Sequence, residues 1–148
     1  MEKLFINNFG KKPEYQVKSF GRFEILGNHT DHNGGLCLAA ACTLGINGLC
    51  SKRDDLKVNI CSKGYNPLNI CLCSLEPVET EKSTSEGLVR GIAKYFNDNG
   101  KNIGGFDLYI ESSIFKGAGV SSSAAYEILI GQIFNSLFNN GEIDEIFL

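Results

Sequence analysis

The run Phe106-Asp107-Leu108-Tyr109-Ile110-Glu111-Ser112-Ser113-Ile114-Phe115-Lys116-Gly117-Ala118-Gly119-Val120-Ser121-Ser122-Ser123-Ala124-Ala125 changes period midway, and that change decides the fold. Phe106, Leu108 and Ile110 alternate, a strand pattern that ends near Ser113 or Phe115. Beyond the glycines, Ile130, Ile133, Phe134, Leu137 and Phe138 recur at helical spacing and predict a helix from about Ser122 to Phe138. Gly117 and Gly119, in the loop between, can take backbone dihedrals closed to other residues and let a ligand approach the main chain. The first N–H groups of the following helix have no intrahelical partner, and with the helix dipole they suit phosphate oxygens. Ser121, Ser122 and Ser123 add hydroxyls that can bind phosphate or a magnesium ion, while Ala124 and Ala125 keep the first turn slim. The same composition also suits a tight strand-to-helix turn with a serine N-cap and no ligand. The loop is not a Walker A motif, since no Gly-Lys-Ser or Gly-Lys-Thr follows, and Ser122 occupies the third glycine position of G-x-G-x-x-G.

Upstream, Ser83-Thr84-Ser85-Glu86 offers N-cap oxygens and an early acid, with Leu88, Ile92, Tyr95 and Phe96 at helical spacing and Gly100 as a stop. The first half of the chain reads as strands over Tyr15–Ile25, Leu36–Cys50, Leu56–Cys61 and Leu68–Cys73, separated by turn chemistry such as Asn33-Gly34-Gly35 and Asn66-Pro67. Strands followed by helices argue for an α+β domain, a mixed sheet with helices packed on one face. The last residues, Gly141 to Leu148, resemble a turn followed by the start of another amphipathic helix.

A length of 148 residues is that of one domain able to bury a real core. A net charge of −3 with no basic run gives no electrostatic recruitment of nucleic acid or anionic lipid, so a small molecule or protein is the expected partner. The N-terminus has no apolar stretch that could serve as a signal peptide and no later run approaches a membrane span, so a cytoplasmic location is expected. The cysteines Cys37, Cys42, Cys50, Cys61, Cys71 and Cys73 form no C-x-x-C pair, and buried reduced thiols are expected of them.

The second polar concentration is Gly21-Arg22-Phe23-Glu24-Ile25-Leu26-Gly27-Asn28-His29-Thr30-Asp31-His32-Asn33-Gly34-Gly35, which holds both histidines of the chain. Its density of donors and acceptors suits a ligand rich in hydroxyls, contacted by Asn28, His29 and Asp31. An Asx-rich turn that bonds its own backbone would use the same residues. A metal held by His29, Asp31 and His32 would need three ligands bunched in four residues to converge on one ion, unlike the helical or finger spacings. Arg22 could equally serve as a surface ion-pairing residue.

Taken together, the two motifs resemble a known family. Gly21-Arg22 leading into Ile25 to Gly35 resembles the galactokinase signature, and Gly117 to Ala125 resembles the phosphate-binding motif of the GHMP kinases, the superfamily that also holds homoserine, mevalonate and phosphomevalonate kinases. The resemblance covers essentially the whole chain but only the first part of a family member. It implies the N-terminal GHMP kinase fold (the ribosomal protein S5 domain 2-like type), truncated, as one domain over residues 1–148. The galactose-binding signature would lie at about 14–50 and the phosphate loop at 116–125, with the C-terminal domain absent. It further implies ATP-dependent phosphorylation of galactose to galactose 1-phosphate, with ATP and Mg2+. Arg22 would be catalytic, stabilising the transferring phosphoryl group, and Asn28, His29 and Asp31 would contact the sugar. Gly117, Ala118, Gly119, Val120, Ser121, Ser122 and Ser123 would cradle the ATP phosphates, with Ser123 as a magnesium ligand.

Four positions depart from the family pattern. Phe20 and Phe115 stand where proline is usual, His32 where tyrosine is, and Asn28 where galactokinases carry glutamate. The family's catalytic aspartate lies in a later motif that has no counterpart before Leu148, so the 148-residue chain alone is expected not to turn over at a normal rate. A non-catalytic galactose- and ATP-binding sensor, or a kinase for another small sugar, homoserine or mevalonate, are the competing readings. The sequence leaves the oligomeric state open.

Overall fold

The computed structural model describes residues 1–27, 33–115, 117–144 and 147. Five strands form one sheet: β1 (Tyr15–Leu26), β2 (Leu38–Lys52), β3 (Lys57–Ser62), β4 (Leu68–Cys71) and β5 (Phe106–Ser112). Their spatial order is β1-β2-β5-β3-β4, antiparallel throughout except for the parallel β3–β5 pair. Helices α2 (Ser85–Asp98) and α3 (Ser122–Phe138) pack on one face of this mixed sheet, as the α+β reading expects. The helix expected over Ser122–Phe138 has those bounds.

The core lies between sheet and helices. Val58, Ile60, Phe106 and Leu108 meet Val89, Phe96, Leu129 and Phe134, all nearly without solvent exposure. Burying side chains of this size stabilises by roughly 1.5–3 kcal/mol each. Phe134 sits edge-on to Phe106, with centroids 5.5 Å apart, and tilted against Phe96 at 5.4 Å.

The sequence pattern gave no sign of a first helix, α1 (Glu2–Phe9), which ends at Gly10 in the left-handed region with φ 69°. It lies on the opposite face of the sheet, where Phe5 packs with Leu49 and Tyr109. The segment after it closes over Asp107, which is 2% exposed. Asp107 accepts from Lys11 Nζ at 2.9 Å, Arg53 Nη1 at 3.0 Å and Asn59 Nδ2 at 2.8 Å. Strand β5 is therefore buried on both faces from Phe106 to Ile110.

One sequence expectation is corrected. Buried reduced thiols describe Cys50, but Cys37 is exposed, and Cys71 and Cys73 are joined as a disulfide where β4 ends and the chain turns. The chain turns at Gly141 as expected, and the helix start expected beyond it falls partly on residues outside the described ones. Ile143 is held through both backbone polar groups by the side-chain amide of Asn135, at 3.1 and 3.2 Å. Phe147 packs on Tyr95 and Phe96, at 4.9 and 5.4 Å between ring centroids.

Candidate functional site

The two motifs meet at the edge of the sheet. Opposite Gly21 the β1–β2 register jumps, from Phe20↔Gly45 to Arg22↔Ala41, so the strand is irregular there. At this break the loop before α3 presses against β1: the Arg22 N–H donates to the Val120 carbonyl at 3.0 Å. Only glycine permits that approach, because a Cβ on Gly21 would lie 2.6 Å from the Val120 oxygen and 2.9 Å from its Cγ2. Val120 is 2% exposed, which anchors the loop to the globule. The Arg22 side chain is exposed, and among the described residues it forms no ion pair.

The loop itself is built from left-handed backbone. Gly117, Gly119 and Ser121 have φ of 83°, 67° and 56°. Nothing lies within 4 Å of where a Cβ would stand on Gly117 or Gly119, so the space beside them is open. Ser121 is the N-cap residue of α3, and its carbonyl accepts from Ala125 N–H at 3.1 Å. Its hydroxyl makes no capping bond. The N–H groups of Ser122, Ser123 and Ala124 find no acceptor among the described residues. Among the described residues the serine-capped turn is therefore not the arrangement present. Ser122 and Ser123 are exposed, and their hydroxyls have no partner among the described residues, which fits an oxygen ligand set for phosphate or magnesium. Lys116, Asn28, His29, Asp31 and His32 lie outside the described residues.

Two features of the helical layer escaped the sequence reading. Tyr126, one turn into α3, has its hydroxyl buried with no hydrogen-bond partner among the described residues, and burial, with the Glu86 charge adding, pushes its phenol well above the ordinary range. The second is a cavity of about 410 Å³ at the N-terminus of α2, walled by Leu75, Pro77, Val78, Ser83 and Leu88. The Glu86–Tyr126 and Phe96–Phe134 proximities show that α2 and α3 run side by side in the same direction. The cavity and the open end of α3 thus share one end of the helical layer. Arg90 holds the cavity wall: Nε and Nη2 donate to both Glu81 oxygens at 2.7 and 2.8 Å, and Nη1 reaches the carbonyls of Cys71 and Ser74. The Arg90 guanidinium in turn holds the Glu81 carboxyl below its usual range.

Comparison with known proteins gives consistent results. Residues 3–52 match the family model described as the galactokinase galactose-binding signature, and residues 87–147 match that of the GHMP kinases N-terminal domain. A galactokinase of Clostridium tetani is 36% identical over 149 residues, spanning all of this chain and 38% of the relative. One from Enterococcus faecalis is 37% identical over 93% of this chain and 37% of the relative. The crystal structure of Lactococcus lactis galactokinase complexed with galactose superposes with a TM-score of 0.85 at 30% identity, over 99% of this chain and 38% of that one. Methanococcus jannaschii mevalonate kinase, at 16% identity and a TM-score of 0.69, shares the fold. The chain thus spans about two-fifths of the length of the curated relatives it matches.

Proposed function

We propose, from the premise that this chain belongs to the galactokinase branch of the GHMP kinases, that it forms the sugar- and phosphate-binding part of an ATP-dependent galactose kinase. The observation that carries the reading is the Arg22–Val120 backbone bond, which fastens an exposed arginine to a helix N-terminus whose first N–H groups have no acceptor among the described residues.

The anomeric hydroxyl oxygen of galactose attacks the γ-phosphorus of ATP, the bond to the β–γ bridging oxygen breaks, and ADP leaves. Gly117 and Gly119 let the phosphates approach the backbone, and the N–H groups of Ser122 to Ala124 bind their oxygens. Arg22 neutralises charge on the transferring group, and Asn28, His29 and Asp31 hold the sugar hydroxyls. The resemblance implies magnesium with the nucleotide; Ser123 would hold that ion, which would offset phosphate charge. The cavity at α2 is of a size that takes a nucleoside. The resemblance assigns the proton-accepting aspartate to a later motif, and no residue of this chain is assigned that role.

Residues 14–50 are read as the sugar signature and 116–125 as the phosphate loop of one domain. A cytoplasmic location accords with substrates such as ATP and free sugar; among the described residues no helix is long and apolar enough to cross a membrane. Asn28 in the glutamate position supports one second reading, a preference for a related sugar.

The test is coupled ADP release by the protein carrying this chain, with galactose, other hexoses, homoserine and mevalonate. Turnover with galactose is the expected result. Turnover only with another acceptor leaves the phosphate loop correct and the sugar assignment wrong; binding of galactose without turnover favours the sensor.

A further inference from the structure

We infer that Cys71 and Cys73 form a reversible thiol–disulfide catch that sets the wall of the cavity at the N-terminus of α2.

The pair is two positions apart in sequence, and both residues are exposed. A bond between such near neighbours removes little conformational freedom from the unfolded chain, so it lacks the usual rationale of a structural disulfide. An exposed disulfide is also open to exchange with solution thiols, as labile and regulatory ones are. In a chain expected to be cytoplasmic, such bonds are typically transient or redox-sensing.

Its position gives it something to control. Leu72, between the two cysteines, is fixed: it is 2% exposed and its N–H donates to the Leu56 carbonyl at 2.8 Å. The carbonyls that bracket the bridge, on Cys71 and Ser74, converge on one Arg90 nitrogen, Nη1. The remaining donors of that guanidinium grip Glu81 in the 3₁₀ turn Glu79–Glu81. Arg90 thus ties the Cys-Leu-Cys turn to the 3₁₀ turn, and the stretch strung between them, including Leu75, Pro77 and Val78, walls the cavity. With the bridge open, Cys73 and Ser74 are no longer tethered to the end of β4, the shared acceptor geometry at Arg90 is lost, and the wall loosens. Two of the other cysteines are poor substitutes: the Cys50 thiol is buried and pushed up to about 12, and burial also raises that of Cys61.

Closure follows ordinary exchange with a small-molecule disulfide such as oxidised glutathione. One cysteine thiolate attacks a glutathione sulfur and releases the first glutathione; the second cysteine thiolate attacks the mixed disulfide and releases the other. Two electrons pass from the cysteine pair to glutathione disulfide, and the two thiol protons end on the released glutathiones.

The test uses the full chain equilibrated with oxidised glutathione or with dithiothreitol, read by peptide mass mapping and by amide hydrogen exchange. The oxidised sample is expected to show an intrapeptide Cys71–Cys73 bridge, two hydrogens lighter, with Cys37 free or glutathionylated. Reduction is expected to speed exchange across Ser74–Lys82 at least about threefold, leaving α3 unchanged. Cys73→Ser should match the reduced state in both buffers, and Arg90→Lys, which loses the fork, should abolish the redox difference. Failure of Cys71 and Cys73 to bridge under oxidant, equal exchange in both states, or a redox difference that survives Arg90→Lys would each overturn the inference.

Discussion

Helices α2 and α3 lie side by side on the same sheet face, yet their N-termini are finished in opposite ways. Thr84 closes α2: its hydroxyl accepts from Gly87 N–H at 3.2 Å and donates to the Glu81 carbonyl at 2.7 Å. The α3 end has three consecutive serines available for the same task, and Ser121 at the cap position performs none of it. Its backbone is instead drawn into the left-handed region and its predecessor Val120 is bonded to β1. Capping residues at a helix start do not by themselves make a cap: the first N–H groups of α3 stay available to water or a ligand. At α2 the chain satisfies itself, whereas at α3, on the function proposed above, the free N–H groups would serve a phosphate.

Substitutions can break or sharpen this contrast. The largest effect is expected at Arg22, attached to the α3 end. In the protein carrying this chain, and on the function proposed for it, Arg22→Ala should lower galactose-dependent ADP release about a thousandfold or more, the scale of an arginine that stabilises phosphoryl transfer, with the urea midpoint unchanged. Gly21→Ala comes next. Its methyl would stand 2.6 Å from the Val120 oxygen, and relieving that overlap should cost about 1–3 kcal/mol in urea denaturation while weakening nucleotide binding.

The helix ends themselves give a smaller and more discriminating pair. Thr84→Ala should destabilise by about 1 kcal/mol, the ordinary value of a lost cap, whereas Ser121→Ala should stay within about 0.5 kcal/mol because its hydroxyl caps nothing. Equal losses would erase the distinction drawn between the helices. The smallest effect is a pH dependence beside α2. Arg90 lowers the folded-state pKa of Glu81, so the pair stabilises at neutral pH and the contribution fades as pH falls through the ordinary glutamate range toward the lowered value. Urea midpoints of the native chain and of Glu81→Gln should therefore converge as the solution is acidified and stay apart at neutral pH.

Much of this arrangement could be read from sequence because its signals are local. The period change around Gly117–Gly119 marks the strand-to-helix turn, and the α3 pattern is long enough to fix both of its ends. Thr84 as a cap follows from the Ser-Thr-Ser-Glu run. What was not legible depends on contacts between distant segments. Helix α1 contributes Phe5 as its only fully buried side chain, too little for a periodic pattern over eight residues. Asp107 sits where alternation expects a solvent-facing residue; it is buried because Lys11 and Arg53 reach across from other segments to satisfy it. The Gly21–Val120 contact joins the two motifs through backbone atoms, which carry no side-chain signature. Family resemblance could place both motifs in one site, but the reason Gly21 is glycine emerges only from the packed loop.

On the function proposed above, the α3 end and the Arg22 strand make a single phosphate site. An amide NMR titration of the chain with Mg-ATP tests it most directly. The account predicts that the resonances of Gly117, Gly119, Ser122, Ser123 and Arg22 shift together along one binding curve, while Gly87 at the capped end of α2 follows no phosphate titration when inorganic triphosphate replaces ATP. Saturable shifts confined to α2, with the Gly117–Ala124 and Arg22 amides unmoved, would contradict it.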